Sequence, residues 1–253
     1  MSISDKKIVN GEKSFAKLFD LLEAIANSSG GLSGRELSQH TSIPVSTVFR
    51  MLKFLCGKDY LNVDRGIYTL GSSFVRLGNT ACSQNPLLKA ARPFLEELSR
   101  HTRETVHLAK LQEDKVVYAD KVEGSRTLRM GSMIGKYSPL HCTGVGKVLL
   151  AFQKESRREE LLNRMDCPIF TKHTITGIDE LRKELTSIRK RGFAIDRCEH
   201  EEWVYCLAAP VLDRQGNILA AVSISGAEMY LKDNTERLAG LLTTAAKQIS
   251  RNL

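Results

Sequence analysis

The sequence predicts an α+β chain: an N-terminal winged helix-turn-helix, a linker helix, and a C-terminal domain built on an antiparallel sheet. Three observations predict it. Apolar residues recur at helical spacing in three short blocks between Ser14 and Lys58; a glycine-centred pair of β-rich runs follows at once; and beyond Glu104 a period-two alternation takes over between further helical blocks. The boundaries are placed at residues 12–70, 71–89 (the linker helix) and 90–253.

Ser14 to Asn27 carries Phe15, Leu18, Phe19, Leu22, Ile25 and Ala26 as a helical stripe, and Asn27-Ser28-Ser29-Gly30-Gly31 stops it. Ser33, three residues ahead of Glu36, can form a capping box for a short second helix through Leu37 to His40. Thr41-Ser42-Ile43 turns the chain. Pro44 suits the first position of a third helix, running to about Lys58, because its missing N–H would be unpaired there in any case. On that helix Val48, Met51, Leu52 and Leu55 gather on one side, while Ser46, Arg50, Lys53 and Gly57 lie opposite, flanked by Thr47 and Phe49. No acidic residue stands between Thr41 and Lys58, so a polyanion meets no repulsion at that face.

Tyr60 to Val63 and Ile67 to Leu70 flank Asp64-Arg65-Gly66 as a hairpin with Gly at its turn. Helix, helix, turn, helix, hairpin is the order of a winged helix-turn-helix; a small helical bundle with an incidental hairpin is the alternative. Ser72 to Cys82 reads as a further helix, Asn85-Pro86 as the cap and first turn of the next, and Pro93 predicts a kink or break within Leu87 to Arg100.

From Glu104 the reading is a hairpin of Thr105 to Leu111 and Lys115 to Val122, a strand at Arg126 to Met130, and a helix from about Val145. Helices at Glu155 to Asn163 and Ile178 to Arg191 follow. Strands return at Phe193 to Cys198, Tyr205 to Leu212 and Ile218 to Ser225, before a last helix at Asn234 to Leu253.

Composition narrows the function classes. The chain has 253 residues, 42% of them hydrophobic, which is enough for two domains with cores of their own. A formal charge of +8 favours an anionic partner. The N-terminus has no apolar leader segment and no run approaches the roughly 18 apolar residues of a membrane span, which predicts a cytoplasmic protein. Six scattered cysteines without a Cys-x-x-Cys pair read as reduced thiols, and six histidines without ligand spacing predict no metal and no cofactor.

"HCTGVGKVLLA", His141 to Ala151, raises two chemical possibilities. A nucleotide-binding loop needs Gly where His141 stands and Ser or Thr where Val148 stands, so that possibility fails. A Cys142 nucleophile with His141 as base fails on an extended strand, where neighbouring side chains point to opposite faces. Two readings stay open: free N–H groups at a helix start that receive an anion, or a glycine-permitted turn with no ligand. In "ILAAVSISG", Leu219, Ala221, Ser223 and Ser225 share one face, and a hairpin partner would set Cys206 and Ala208 beside them. A polar ligand site and a tightly packed sheet face fit equally well, and Asp196 is either a ligand acceptor or a surface carboxylate. Glu199-His200-Glu201-Glu202 reads as a solvated run, Trp203 as a core residue, and Lys147 as structural.

"IPVSTVFRMLKFL" (Ile43 to Leu55), "SPLHCTGVGKVLLA" (Ser138 to Ala151) and "CLAAPVLDRQGNILAAVSISG" (Cys206 to Gly226) together resemble the IclR family of bacterial transcriptional regulators. The resemblance covers about Ser14 to Leu253. It implies a GAF-like effector-binding domain after the linker helix, and a homodimer or dimer of dimers on a palindromic double-stranded DNA operator. It further implies a non-enzymatic repressor whose operator binding is modulated by a small carboxylate metabolite such as a sugar acid or keto acid. Ser46, Thr47 and Arg50 match DNA-contacting positions, with Lys53 on the same face and Arg65 at the wing tip. Met130, Gly144, Val145, Asp196, Cys206, Ser223 and Ser225 match positions that surround the ligand, and Ser138 and Val204 complete the set. Three departures stand out: Val45 replaces a Lys or Arg of many relatives, Trp203-Val204 replaces a Gly followed by an aliphatic residue, and Ser138 replaces a larger apolar residue of some members.

Overall fold

The computed structural model describes residues 10–127 and 129–253, the first three as helix backbone only. They form two compact units that part between Gln84 and Asn85.

In the first unit, α1 (Asn10–Ala26), β1 (Leu32–Ser33), α2 (Gly34–Thr41), α3 (Val45–Cys56), β2 (Leu61–Asp64), β3 (Ile67–Leu70) and α4 (Ser72–Gln84) follow in order. The capping box at α2 forms as the sequence demands: Glu36 N–H donates to Ser33 Oγ at 3.3 Å and Ser33 N–H donates to Glu36 Oε2 at 2.8 Å. Pro44 sits one position earlier than expected, as the cap of α3, where its carbonyl accepts from Thr47 and Val48 N–H. Val48, Met51, Leu52 and Leu55 pack into one core with Leu21, Ile25, Leu37, Ile43 and Leu61. Leu21, outside the expected α1 stripe, is fully buried, whereas Phe15 and Phe19 are about two-thirds exposed.

The wing turns tightly because Arg65 and Gly66 both take positive φ, 47° and 81°. The sequence gives no sign of β1, which pairs with β3 to make a three-stranded sheet ordered β1-β3-β2.

The second unit runs α5 (Pro86–Thr102), β4 (Thr105–Gln112), β5 (Lys115–Val122), β6 (Tyr137–Ser138), α6 (Gly144–Ala151), α7 (Glu155–Arg164), α8 (Ile178–Arg191), β7 (Ala194–Arg197), β8 (Val204–Leu212) and β9 (Ile218–Ala227). A single turn α9 (Glu228–Leu231) and α10 (Thr235–Arg251) end it. Its six strands form one antiparallel sheet in the order β6-β5-β4-β9-β8-β7. Alternation sorts the residues. Leu108, Leu207, Val222 and Ile224 pack with α5 and α10 on one face, while Ala109, Ala208 and Ala221 pack with α6 and α8 on the other.

Two expectations are corrected. Pro93 does not break α5, because it lies on the exposed face, where the Lys89 carbonyl that loses its donor is left to solvent. No strand forms in the described part of Arg126 to Met130; Leu128 lies outside the described residues. The ladder position beside β5 goes to β6, and Lys121 Nζ takes the Met130 carbonyl at 2.9 Å. No helix among the described residues is long and apolar enough to cross a membrane.

Leu108 is fully buried in the central strand β4. Leu108→Ala is expected to lower unfolding free energy by about 2–5 kcal/mol, measured by the urea midpoint at constant slope.

Candidate functional site

The outer face of α3 forms as the helical spacing requires. Ser46, Arg50 and Lys53 are exposed, Thr47 is half-buried, and the opposite residues hold the helix to its core. Arg65 is exposed at the wing turn. This surface presents cations and small hydroxyls on a rigid element, a donor set suited to phosphates and base edges.

On the α6 face of the large sheet, the apolar layer gives way to polar residues toward one end of β9, and a cavity of ≈ 40 Å³ opens there. Register explains which side chains meet. Cys206 pairs with Ser225 and Ala208 with Ser223 across β8 and β9, Asp196 pairs with Cys206 across β7 and β8, and His107 pairs with Ser223 across β4 and β9. Of the nine residues expected around a ligand, Met130, Gly144, Val145, Asp196, Val204, Cys206, Ser223 and Ser225 line this cavity. Ser138 does not. It is buried on β6, where it pairs in register with Val116 of β5.

Sequence reasoning missed the residue at the cavity's centre, His107. Its Nε2 meets Ser132 Oγ at 2.7 Å, and its Nδ1 meets Ser223 and Ser225 Oγ at 3.3 and 3.4 Å. Burial, and then nearby Lys121, push its pKa down to about 3, so the ring is neutral, one nitrogen donating and the other accepting. Its place on β4, one alternation before Ala109, was the available signal. Tyr118, His200 and Glu201 also line the cavity.

Thr143 starts α6: its hydroxyl accepts from Gly146 N–H at 3.1 Å, and its carbonyl accepts from Lys147 N–H. The N–H groups of Gly144 and Val145 are not taken up by this cap. Gly146 is required by space, since a Cβ there would stand 2.5 Å from the Leu140 carbonyl oxygen. His141 and Cys142 lie in a bend rather than the extended strand assumed for them, and burial pushes the Cys142 thiol pKa far up. The Cys206 thiol is pushed up in the same way. Both sulfurs are protonated and poor nucleophiles.

Lys147 is structural as expected, but the acidic run needs correction at Glu199. Lys147 is completely buried; its Nζ donates to Ile195 O at 2.7 Å and pairs with Glu199 Oε1. Glu199 is likewise buried and His200 is half-buried against the cavity, whereas Glu201, at the cavity's rim, and Glu202 are exposed as expected. The pair fixes the turn after β7, where Asp196 Oδ1 accepts from Glu199 N–H at 2.7 Å. Trp203 is 73% exposed with φ of 67°, not a core residue. That left-handed backbone is the conformation a glycine would adopt without strain.

Asp196 is itself buried, and burial first, then Glu199, raises its pKa to about 7 against the pull of Lys147 and two backbone N–H groups. The cavity therefore offers hydroxyls, neutral imidazoles, a carboxyl and helix-start N–H groups.

Lys147→Met leaves Glu199 buried without its cation and is expected to cost about 3–5 kcal/mol in guanidinium unfolding; adding Glu199→Leu should recover most of the loss. Asp196 gives a pH signature. Its folded pKa lies above its unfolded value of 3.8, so the native state holds the proton longer and stability is lost as pH rises from about 4 to 7. Asp196→Asn should therefore gain on the wild type across that window and hold the gain above it, as read by urea midpoints.

Comparison with known proteins agrees with both parts. Residues 14–65 match the IclR helix-turn-helix domain, and residues 79–251 match the C-terminal domain of the bacterial transcriptional regulator IclR. The HTH-type transcriptional regulator KdgR of Dickeya chrysanthemi is 36% identical over 254 residues, spanning 99% of this chain and 83% of that protein. The DNA-binding transcriptional repressor YiaJ of Escherichia coli is 33% identical over 261 residues, spanning 98% of this chain and 90% of that protein. The crystal structure of an IclR homologue from Microbacterium hydrocarbonoxydans, complexed with 4-hydroxybenzoate, shares the fold: its TM-score is 0.85 at 21% identity, covering 95% of this chain and 98% of that one. The chain belongs to the IclR family of transcriptional regulators.

Proposed function

We propose that this regulator is a repressor that binds a palindromic operator as a homodimer or dimer of dimers, and that a small carboxylate metabolite, a sugar acid or keto acid, shifts its operator affinity. The observation that carries the reading is the first turn of α6, where Gly144 and Val145 line a polar cavity with N–H groups left over by the Thr143 cap. Met130 and Val204 give that cavity apolar wall. Ser223, Ser225 and Asp196 offer partners for ligand hydroxyls, and Cys206 stands beside them. The 4-hydroxybenzoate of the Microbacterium protein is a carboxylate too.

At ≈ 40 Å³ the cavity is smaller than a sugar acid. A sugar acid then requires the walls to move, so ligand and closed form compete, and occupancy of the operator shifts only by the difference in ligand affinity between two arrangements. Ser46, Thr47, Arg50, Lys53 and Arg65 are assigned to the DNA. Phe15 and Phe19, one turn apart on α1, and Val75 on α4 are large exposed apolar side chains that a second copy would cover. Protonated thiols, with no activated nucleophile among the described residues of the cavity, favour a binding protein over an enzyme.

Gel retardation of the DNA upstream of the chain's own and neighbouring genes, with and without sugar and keto acids, tests the reading. Sequence-specific, salt-sensitive retention relieved by one of the acids is the expected result; retention unaffected by any acid would contradict it. Arg50→Ala is expected to weaken operator binding by about 1–3 kcal/mol with effector binding intact. Asp196→Ala combined with Ser223→Ala should keep operator binding and lose the response.

A further inference from the structure

The charges around the cavity do not suit an ordinary carboxylate. Among the described residues no lysine or arginine lines it. Lys121, nearby, is engaged by Met130 O, Ser132 O and Glu123, and Lys147 by Ile195 O and Glu199. What faces the start of α6 is itself a carboxyl. A Cβ placed on Gly144 would lie 3.7 Å from Asp196 Cβ, and Glu201 stands on the same wall. An anion seated on the Gly144 and Val145 N–H groups therefore meets Asp196, itself a buried carboxyl, at close range. Two carboxylates so placed cannot both stay ionised.

We propose that the site takes up its carboxylate ligand together with one proton, shared between the ligand and Asp196 as a carboxylic acid to carboxylate hydrogen bond. The inference rests on the carboxylate reading above. Solvent supplies the proton, Asp196 Oδ2 carries it and donates to a ligand oxygen, and Asp196 Oδ1 goes on accepting from Glu199 N–H. No bond of the ligand breaks. The site thereby selects monocarboxylates, since a second negative charge on the ligand would find neither a cation nor a proton.

Several groups face Asp196. Lys147 from α6 and Glu199 from the following turn are paired with each other, and Glu201 and His200 come from that same turn. Cys142 precedes α6, Cys198 ends the β7 turn, Cys206 lies opposite on β8, Tyr118 stands on β5, and His107 on β4. Burial lowers the pKa of both imidazoles, His107 to about 3, and raises those of Cys198 to about 11, Tyr118 to about 12 and the other two thiols. None of these histidines, cysteines or the tyrosine mimics Asp196, whose own pKa of about 7 leaves it protonated below neutrality and ionised above.

Calorimetric titration of the whole protein with sodium pyruvate, D-gluconate and D-galacturonate, in pairs of buffers of different ionisation enthalpy, reads the proton directly. For any probe that binds, uptake near one proton per ligand at pH 8.5, falling toward zero at pH 6, is expected. Affinity should fall by roughly tenfold per pH unit above about 7. Asp196→Asn, whose amide stands where the acid proton stood, should bind the same probe without proton uptake and more tightly than the wild type at pH 8.5. Binding at pH 8.5 without proton uptake overturns the inference and leaves the carboxylate reading standing. Failure of all three probes at pH 6, where the proton is already present, overturns the carboxylate reading and the inference together.

Discussion

A buried ammonium organises the second unit of this protein. Lys147 is removed from water entirely, and a lone charge in that position would be too costly to keep. Glu199 and the Ile195 carbonyl compensate it, and in doing so tie α6 to β7 and to the turn that follows. Everything the cavity needs hangs on that tie: Asp196 is held by the Glu199 amide, His200 lines the cavity, and the start of α6 is presented to the polar end of β9. A hydrophobic pair of equal volume could hold the elements together. It would not fix the hydrogen bonds that aim Asp196.

Around that anchor the cavity is polar but nearly neutral. His107 is kept uncharged by its burial and joins hydroxyls from β9 to Ser132, while Lys121 holds the carbonyls of Met130 and Ser132. A closed arrangement with satisfied hydrogen bonds and little free volume has a definite free energy that a ligand must exceed. That is the property a two-state sensor requires, because a site already open to its ligand has nothing to switch. The balance between closure and occupancy is set by a few polar contacts, each worth on the order of 1 kcal/mol.

Local physics was legible in the sequence and long-range physics was not. The Ser33–Glu36 box, the Val48, Met51, Leu52 and Leu55 face of α3, and the placing of Cys206 and Ala208 beside Ser223 and Ser225 each depend on residues a turn or one hairpin apart, and each was read correctly. Eight of the nine residues expected around a ligand, from strand alternation and family resemblance, line the cavity. Lys147 and Glu199 are 52 positions apart, and His107 and Ser223 are 116 apart. No periodicity joins them, so Glu199 was read with the solvated run rather than as the partner of Lys147. Arg126 to Met130 had strand-like composition, but β5 had already paired with β6 on that edge and Lys121 had taken the Met130 carbonyl. Trp203 shows the same limit: aromatic bulk argued for the core, while a positive φ at a turn left the indole in solvent.

Coupling between ligand and operator is the central claim, and thermodynamics makes it reciprocal. The most direct measurement is the affinity of one active sugar or keto acid for the protein alone and for the protein saturated with operator DNA, at fixed salt and pH. If the acid releases the operator, its own affinity must be weaker on the DNA-bound protein by the same factor by which it weakens operator binding. Equal ligand affinity in the two states, with DNA release still observed, would contradict the account.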